Sequence, residues 1–149
     1  MVTNKLVLLI EDDPSDARLI QRAFDKAKLN IELTRLTNGD DAVAYLGGKP
    51  PYDNRALYPI PAVLLLDIKL PRRSGLEVLG WLRNQHHGLK RLPVVILTSS
   101  RHSIDVNRAY DLGVNSYLAK PESTSDLTRL AESFQSYWLQ LNENPDVQN

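Results

Sequence analysis

The unbroken apolar run Ala62-Val63-Leu64-Leu65-Leu66, closed by Asp67, constrains the fold of this chain more than any other feature. Five apolar residues without alternation fit a strand buried on both faces, as in the middle of a parallel sheet. Two further runs have the same character. Leu6 to Ile10 ends at Glu11-Asp12-Asp13, and Val94 to Leu97 delivers Thr98-Ser99-Ser100. Ser116 to Ala119 is a short run ending at Lys120-Pro121, and Ile31, Leu33 and Leu36 alternate with polar residues as in a shorter strand nearer an edge.

Helical patterns lie between these strands. Pro14 suits a first helical position with Asp13 as its cap, and Ile20, Ala23, Phe24 and Ala27 predict an amphipathic helix from Ser15 to about Lys28. Asn38-Gly39 reads as a turn, followed by a short helix carrying Ala42, Val43 and Leu46 and stopped by Gly47-Gly48. Lys49 to Pro61 holds four prolines and reads as a long loop. Pro71-Arg72-Arg73-Ser74-Gly75 reads as a turn before a helix from Leu76 to Asn84, and another helix is expected from Ile104 to Leu112. Ser123 with Asp126 resembles a capping box, and Leu127, Leu130, Ala131, Phe134, Trp138 and Leu141 line one face of the last helix. Residues 142–149 are polar and expected to fray.

Strands alternating with helices imply βαβ units and a parallel sheet. Over 149 residues this makes one domain, with a core spanning about 5–141. Eighteen basic residues balance eighteen acidic ones, so bulk charge points to neither a nucleic-acid nor a membrane partner. No cysteine is present, which excludes disulfides and thiolate metal sites. No apolar run approaches the roughly 20 residues that span a bilayer, and a cytoplasmic protein is expected.

A parallel sheet brings its strand ends to one edge, where ligands of open α/β sheets bind. Glu11, Asp12, Asp67, Thr98 and Lys120 can therefore converge there although they lie far apart in sequence. Gathered carboxylates repel unless a cation sits among them. Mg²⁺ resolves this naturally, because it takes few protein carboxylates and keeps several waters. With an ammonium and a hydroxyl added, such a site suits a phosphoryl group.

The set Glu11-Asp12, Asp67, Thr98 and Lys120-Pro121, in this order and spacing, resembles the receiver domain of two-component response regulators. The resemblance implies a doubly wound five-stranded parallel sheet of flavodoxin-like order 2-1-3-4-5, with helices on both faces. It implies Asp67 as phosphoacceptor and Mg²⁺ held by Asp12, Asp67 and the Lys69 backbone carbonyl, with Glu11 acting mainly through water. It further implies Lys120 and Thr98 as partners of the phosphoryl oxygens, Tyr117 as the switch aromatic, and a cis peptide before Pro121. The loop 49–61, the approach Leu89 to Pro93 and the ending Ser136-Tyr137-Trp138-Leu139 look like the small stand-alone regulators paired with phytochromes. That resemblance implies a sensor histidine kinase, a bacterial phytochrome, as partner.

Other readings remain at this point. An aspartyl-phosphate phosphatase commonly carries a second acid two residues after its nucleophile, where this chain has Lys69. A flavin carrier would need a hydroxyl- and glycine-rich phosphate cradle after the first strand, which is acidic here. A receiver-like scaffold that takes no phosphoryl group is the third alternative. His86-His87 and the cluster Lys69, Arg72 and Arg73 read as solvated or partner-facing residues. Tyr137 and Trp138 are adjacent, so they cannot both face the sheet centrally on one helix, and a homodimer is expected through the face built from the fourth helix, the fifth strand and the last helix.

Overall fold

The computed structural model describes residues 5–27 and 31–148. Its strands are β1 (Lys5–Ile10), β2 (Ile31–Leu36), β3 (Val63–Leu66), β4 (Val94–Thr98) and β5 (Ser116–Ala119). All pair in parallel in the order β2-β1-β3-β4-β5. The helices are α1 (Pro14–Lys26), α2 (Gly39–Gly47), α3 (Gly75–Arg83), α4 (Ser103–Asp111) and α5 (Thr124–Phe134). This is the doubly wound architecture that the resemblance implies.

The apolar strands are buried twice over because successive side chains alternate between two layers. Leu8, Ile10, Leu64, Leu66, Val94 and Ile96 pack with Ala42, Tyr45 and Leu46 of α2, Leu76 to Leu82 of α3, and Ala109 of α4. Val7, Leu9, Val63, Leu65, Val95 and Leu97 pack on the other face with Ile20 and Phe24 of α1 and Leu127, Ala131 and Phe134 of α5. The edge strand β2 has six residues, as many as β1, so it is not shorter as the alternation suggests.

Helix starts follow local chemistry. The Asp13 side chain accepts from the amides of Ser15 and Asp16, and Pro14 takes the first helical position of α1. The end of α1 expected near Lys28 lies outside the described residues. Asn38 is not a turn residue but the cap of α2, accepting from the Asp41 amide, and Gly48 ends that helix at φ 66°. Ser74 and Glu77 cap α3 reciprocally. Ser123 caps α5 through the Asp126 amide, but the Asp126 carboxylate turns to Arg129 and leaves the expected box half made.

Three segments depart from the sequence reading. The loop 49–61 is packed: Tyr52 and Tyr58 stack edge-on and tilted around Tyr45. Within it, the Arg55 guanidinium donates to the carbonyls of Tyr45 and Leu46 at the C-terminus of α2, where cations are favoured. The last helix does not keep its phase. After Phe134 it widens into a π-helical turn over Gln135–Leu141, in which the Asn142 amide donates to the Tyr137 carbonyl. The wider turn buries Leu139 and turns Leu141 outward, 72% exposed. Nor does 142–148 fray: Val147 packs against the α2–α3 layer and Arg91 donates twice to the Asp146 carbonyl.

Candidate functional site

Register gathers the site. Ile10 pairs with Leu66, Leu66 with Ile96, and Thr98 with Ala119, so the residues that follow these positions share one edge of the sheet. The Asp67 amide donates to the Ile10 carbonyl at 3.1 Å and the Lys120 amide to the Thr98 carbonyl at 2.8 Å, extending the ladder by one rung at each strand. Glu11, Asp67 and Thr98 are all buried, while Asp12 is exposed.

Lys120 is the centre of charge. Its Nζ lies 2.6 Å from Glu11, 2.8 Å from Asp16 and 2.9 Å from Asp67 Oδ2. Burial by itself would lower the ammonium's pKa, but its bonds to these three carboxylates outweigh that and hold it above the ordinary lysine value. Burial pushes the Glu11 carboxyl up to about 7, against the pull of the Lys120 contact and with help from the Asp67 charge. The site is therefore rich in carboxylates and short of positive charge.

That imbalance bears on a metal. Carboxylate oxygens of Glu11, Asp12 and Asp67 all lie within 4.8 Å of one another. Asp67 Oδ1 is buried with no hydrogen-bond partner among the described residues. A buried anionic oxygen left unpaired is costly, and a hard cation at this point would satisfy it and offset the repulsion. The residues fit such an ion.

Thr98 Oγ1 is also buried without a partner among the described residues. Tyr117, partly buried on β5, donates its hydroxyl to the Ser100 carbonyl at 3.0 Å. An unsatisfied buried hydroxyl costs about 1–3 kcal/mol, so Thr98→Val is expected to raise stability by about 1 kcal/mol, roughly 2–4 °C in Tm at this chain length. Thermal melting of the purified variant checks this. A fall in Tm would mean the hydroxyl has a partner after all.

The peptide before Pro121 corrects an expectation. Among the described residues the cis bond is Pro50–Pro51, and Lys120–Pro121 is trans. Trans is favoured at X–Pro by about 0.5–1 kcal/mol, and from a trans bond Lys120 already reaches all three carboxylates.

Two participants escape the sequence reading. Asp16 reads there only as part of an amphipathic helix; its place one turn beyond Asp12 is the available signal. Gly75 reads as a turn residue but opens α3 directly on the site: a Cβ there would stand 2.0 Å from the Asp67 carbonyl oxygen. Arg72 carries φ 70° in the same loop, an uncommon backbone for a residue with a side chain. His86 and His87 are exposed, as their reading as solvated residues expects, whereas Arg73 is half-buried and pairs with Asp40 at 3.4 Å. A cavity of about 610 Å³ lies between Leu46, Arg55, Trp81 and Val147, near the start of β3, and takes no part in this cluster.

The chain matches the response regulator receiver domain over residues 7–132. It is 39% identical over 136 residues to "Response regulator Rcp1" of Synechocystis sp., covering 91% of this chain and 90% of that protein. It is 38% identical over 145 residues to "Probable methanogenesis regulatory protein FilR2" of Methanothrix harundinacea, covering 94% and 87%. The structure resembles that of a phosphorylated cyanobacterial phytochrome response regulator, RcpA, at TM-score 0.88 and 34% identity, covering 97% of this chain and 100% of that one. It resembles the Mn²⁺-bound form of Rcp1 at TM-score 0.85 and 38% identity, covering 95% and 99%.

Proposed function

The chain belongs to the response regulator receiver domain family, and from that premise we propose that Asp67 accepts a phosphoryl group from a sensor histidine kinase, the kinase being a bacterial phytochrome. The observation that carries this is the Asp67 carboxylate itself, buried at the end of the central strand with Oδ2 on Lys120 and Oδ1 unpartnered among the described residues. An Asp67 oxygen forms the new O–P bond as the P–N bond of the phosphohistidine breaks and the imidazole nitrogen leaves with the electron pair. Lys120 supplies positive charge to the transferred oxygens, and the Thr98 hydroxyl turns to donate to one of them. Loss of Tyr117's present anchor at Ser100 then lets its ring follow, changing the surface that a partner meets.

The residues that would hold Mg²⁺ are Asp12, Asp67 and the Lys69 backbone carbonyl, with Glu11 reaching it through water. The ion supplies charge stabilisation to the phosphoryl oxygens. Asp12→Ala is expected to weaken Mg²⁺ binding by more than about tenfold, since even groups one layer out from a metal change affinity by roughly 10–100-fold. Phosphorylation should fall with it. A metal titration giving equal affinity for both proteins would remove Asp12 from the ligand set.

The reading as a whole is tested by incubating the chain with a small phosphodonor, with and without Mg²⁺, and measuring intact mass. A gain of one phosphoryl group only with Mg²⁺ is the expected result. In this reading the chain is a cytoplasmic switch that catalyses at most its own phosphorylation and dephosphorylation, with no nucleic-acid or membrane partner of its own. No helix among the described residues is long and apolar enough to cross a membrane. The phytochrome assignment draws support from the likeness to RcpA, a phytochrome response regulator; FilR2 bears a name from another pathway.

A homodimer completes the proposal. Tyr137 is 53% exposed and Trp138 packs edge-on against it, while Ile104 and Tyr110 of α4 are also largely exposed. Apolar patches of this kind mark interfaces. Sedimentation at micromolar concentration should give a dimer that Tyr137→Ala or Trp138→Ala weakens. A monomer both with and without phosphorylation would leave these aromatics to another partner.

A further inference from the structure

We propose that Arg35 is a positioning residue for the cation site: its guanidinium holds the backbone on both sides of Asp12 and so aims that carboxylate. The inference rests on the reading of Asp12 as a Mg²⁺ ligand and extends it to a strand that supplies no ligand of its own.

The acidic residues differ in how they are held. The amides of Glu11 and Asp67 continue the sheet, donating to the carbonyls of Leu36 and Ile10, and both side chains meet Lys120. Asp12 lies between β1 and α1 and is exposed. Among the described residues no hydrogen bond or ion pair reaches its carboxylate. Its direction therefore depends on its backbone. Peptide units are planar, so each residue has only two soft backbone dihedrals. Fixing the units before and after a residue thus fixes where its Cβ points. Arg35, exposed near the end of β2, does this for Asp12. Its Nε donates to the Glu11 carbonyl at 2.9 Å and its Nη2 to the Asp12 carbonyl at 3.2 Å. These two carbonyls belong to the units on either side of the Asp12 Cα. The second unit is held at its other end as well, where the Asp13 amide donates to Glu11 Oε2 at 3.1 Å. A planar guanidinium is a rigid fork suited to two successive acceptors, whereas a lysine ammonium is a point charge on a flexible stem.

The sign of the effect separates aiming from charge. A fixed positive charge near a cation site repels the ion, so losing the guanidinium would by charge alone tighten binding. Losing the aim of a ligand loosens it. The experiment measures Mn²⁺ affinity by electron paramagnetic resonance, well below the melting temperature. It compares wild type, Arg35→Ala, Arg35→Lys, Asp12→Ala and the double variant Asp12→Ala/Arg35→Ala. Arg35→Ala is expected to bind several-fold more weakly than wild type, with a smaller loss than Asp12→Ala. Arg35→Lys keeps the charge without the fork and should also bind more weakly than wild type. In the Asp12→Ala background, Arg35→Ala should weaken binding no further, because the carboxylate it aims is gone. Wild-type or tighter affinity in Arg35→Ala or Arg35→Lys would overturn this inference alone. So would a further several-fold loss in the double variant, the result that general damage to the turn would give. Wild-type affinity in Asp12→Ala would overturn the ligand reading of Asp12 and this inference with it.

Discussion

Asp67→Asn is expected to abolish phosphorylation and leave the fold in place. The amide has the shape of the carboxylate, and the backbone bond from the Asp67 amide to the Ile10 carbonyl does not involve the side chain. Lys120 keeps Glu11 and Asp16 as partners. The substitution also removes one of the charges that push the Glu11 carboxyl up, so lost attraction and relieved repulsion oppose each other. Stability should therefore move by no more than about 1 kcal/mol in either direction. What is lost is the nucleophile: an amide oxygen does not displace a phosphoryl group from nitrogen, and no mass gain should follow incubation with a phosphodonor and Mg²⁺. Labelling at the wild-type level in a variant with an unchanged melting temperature would place the acceptor elsewhere.

Gly75→Ala should cost far more stability than Asp67→Asn. A Cβ at this position would stand 2.0 Å from the Asp67 carbonyl oxygen and 2.9 Å from both the Asp67 carbonyl carbon and Ile68 Cα. These are backbone atoms and cannot swing aside. Carbon atoms rest comfortably at about 3.5–4.0 Å, so either the start of α3 or the Asp67 peptide must move by roughly 1 Å or more. The Gly75 amide donates to the Ile68 carbonyl at 2.8 Å, which ties the two segments and shares the strain between them. Overpacking of this kind costs typically about 1–3 kcal/mol, and with backbone on both sides about 3 kcal/mol is expected here. At this length that is a fall of roughly 6–12 °C in Tm, accompanied by slower phosphorylation because Asp67 is displaced. Gly80→Ala is the matched control: it lies within α3, its Cβ would meet only Leu112 Cδ2 at an ordinary 3.6 Å, and stability should be unchanged or slightly raised. Equal melting temperatures for Gly75→Ala and wild type would show that α3 can shift freely against the site.

The strands are legible because their burial is written in local sequence. Val63 to Leu66 and Val94 to Leu97 are apolar at every position since each layer of the core takes alternate residues. The polar residue after each run marks where the strand leaves the core, and this alone puts Glu11, Asp67, Thr98 and Lys120 on one edge. Helix starts are legible where a side chain caps its own helix, as at Asp13 and Ser123; Ser74, read as a turn residue, is a cap that the sequence did not reveal. Sheet order is not legible from periodicity, since any of these strands could neighbour any other; it comes from resemblance, and the pairing bears it out.

Only the tertiary structure decided the rest, because it depends on contacts between residues distant in the chain. Asp16 meets Lys120 across 104 positions, and its place one turn beyond Asp12 is too weak a local signal to single it out. Arg55 gives order to a proline-rich loop by reaching the end of α2. Leu139 and Leu141 exchange roles through a π-helical turn, since the phase of an interrupted helix is set by what it packs against and not by spacing. Val147 is held because the α2–α3 layer offers it an apolar surface, although the polar residues around it predict a loose end. Local sequence therefore determined which residues are buried and which strand ends carry charge. Packing decided which of those charges touch, and hence that Lys120 meets Glu11, Asp16 and Asp67 at once.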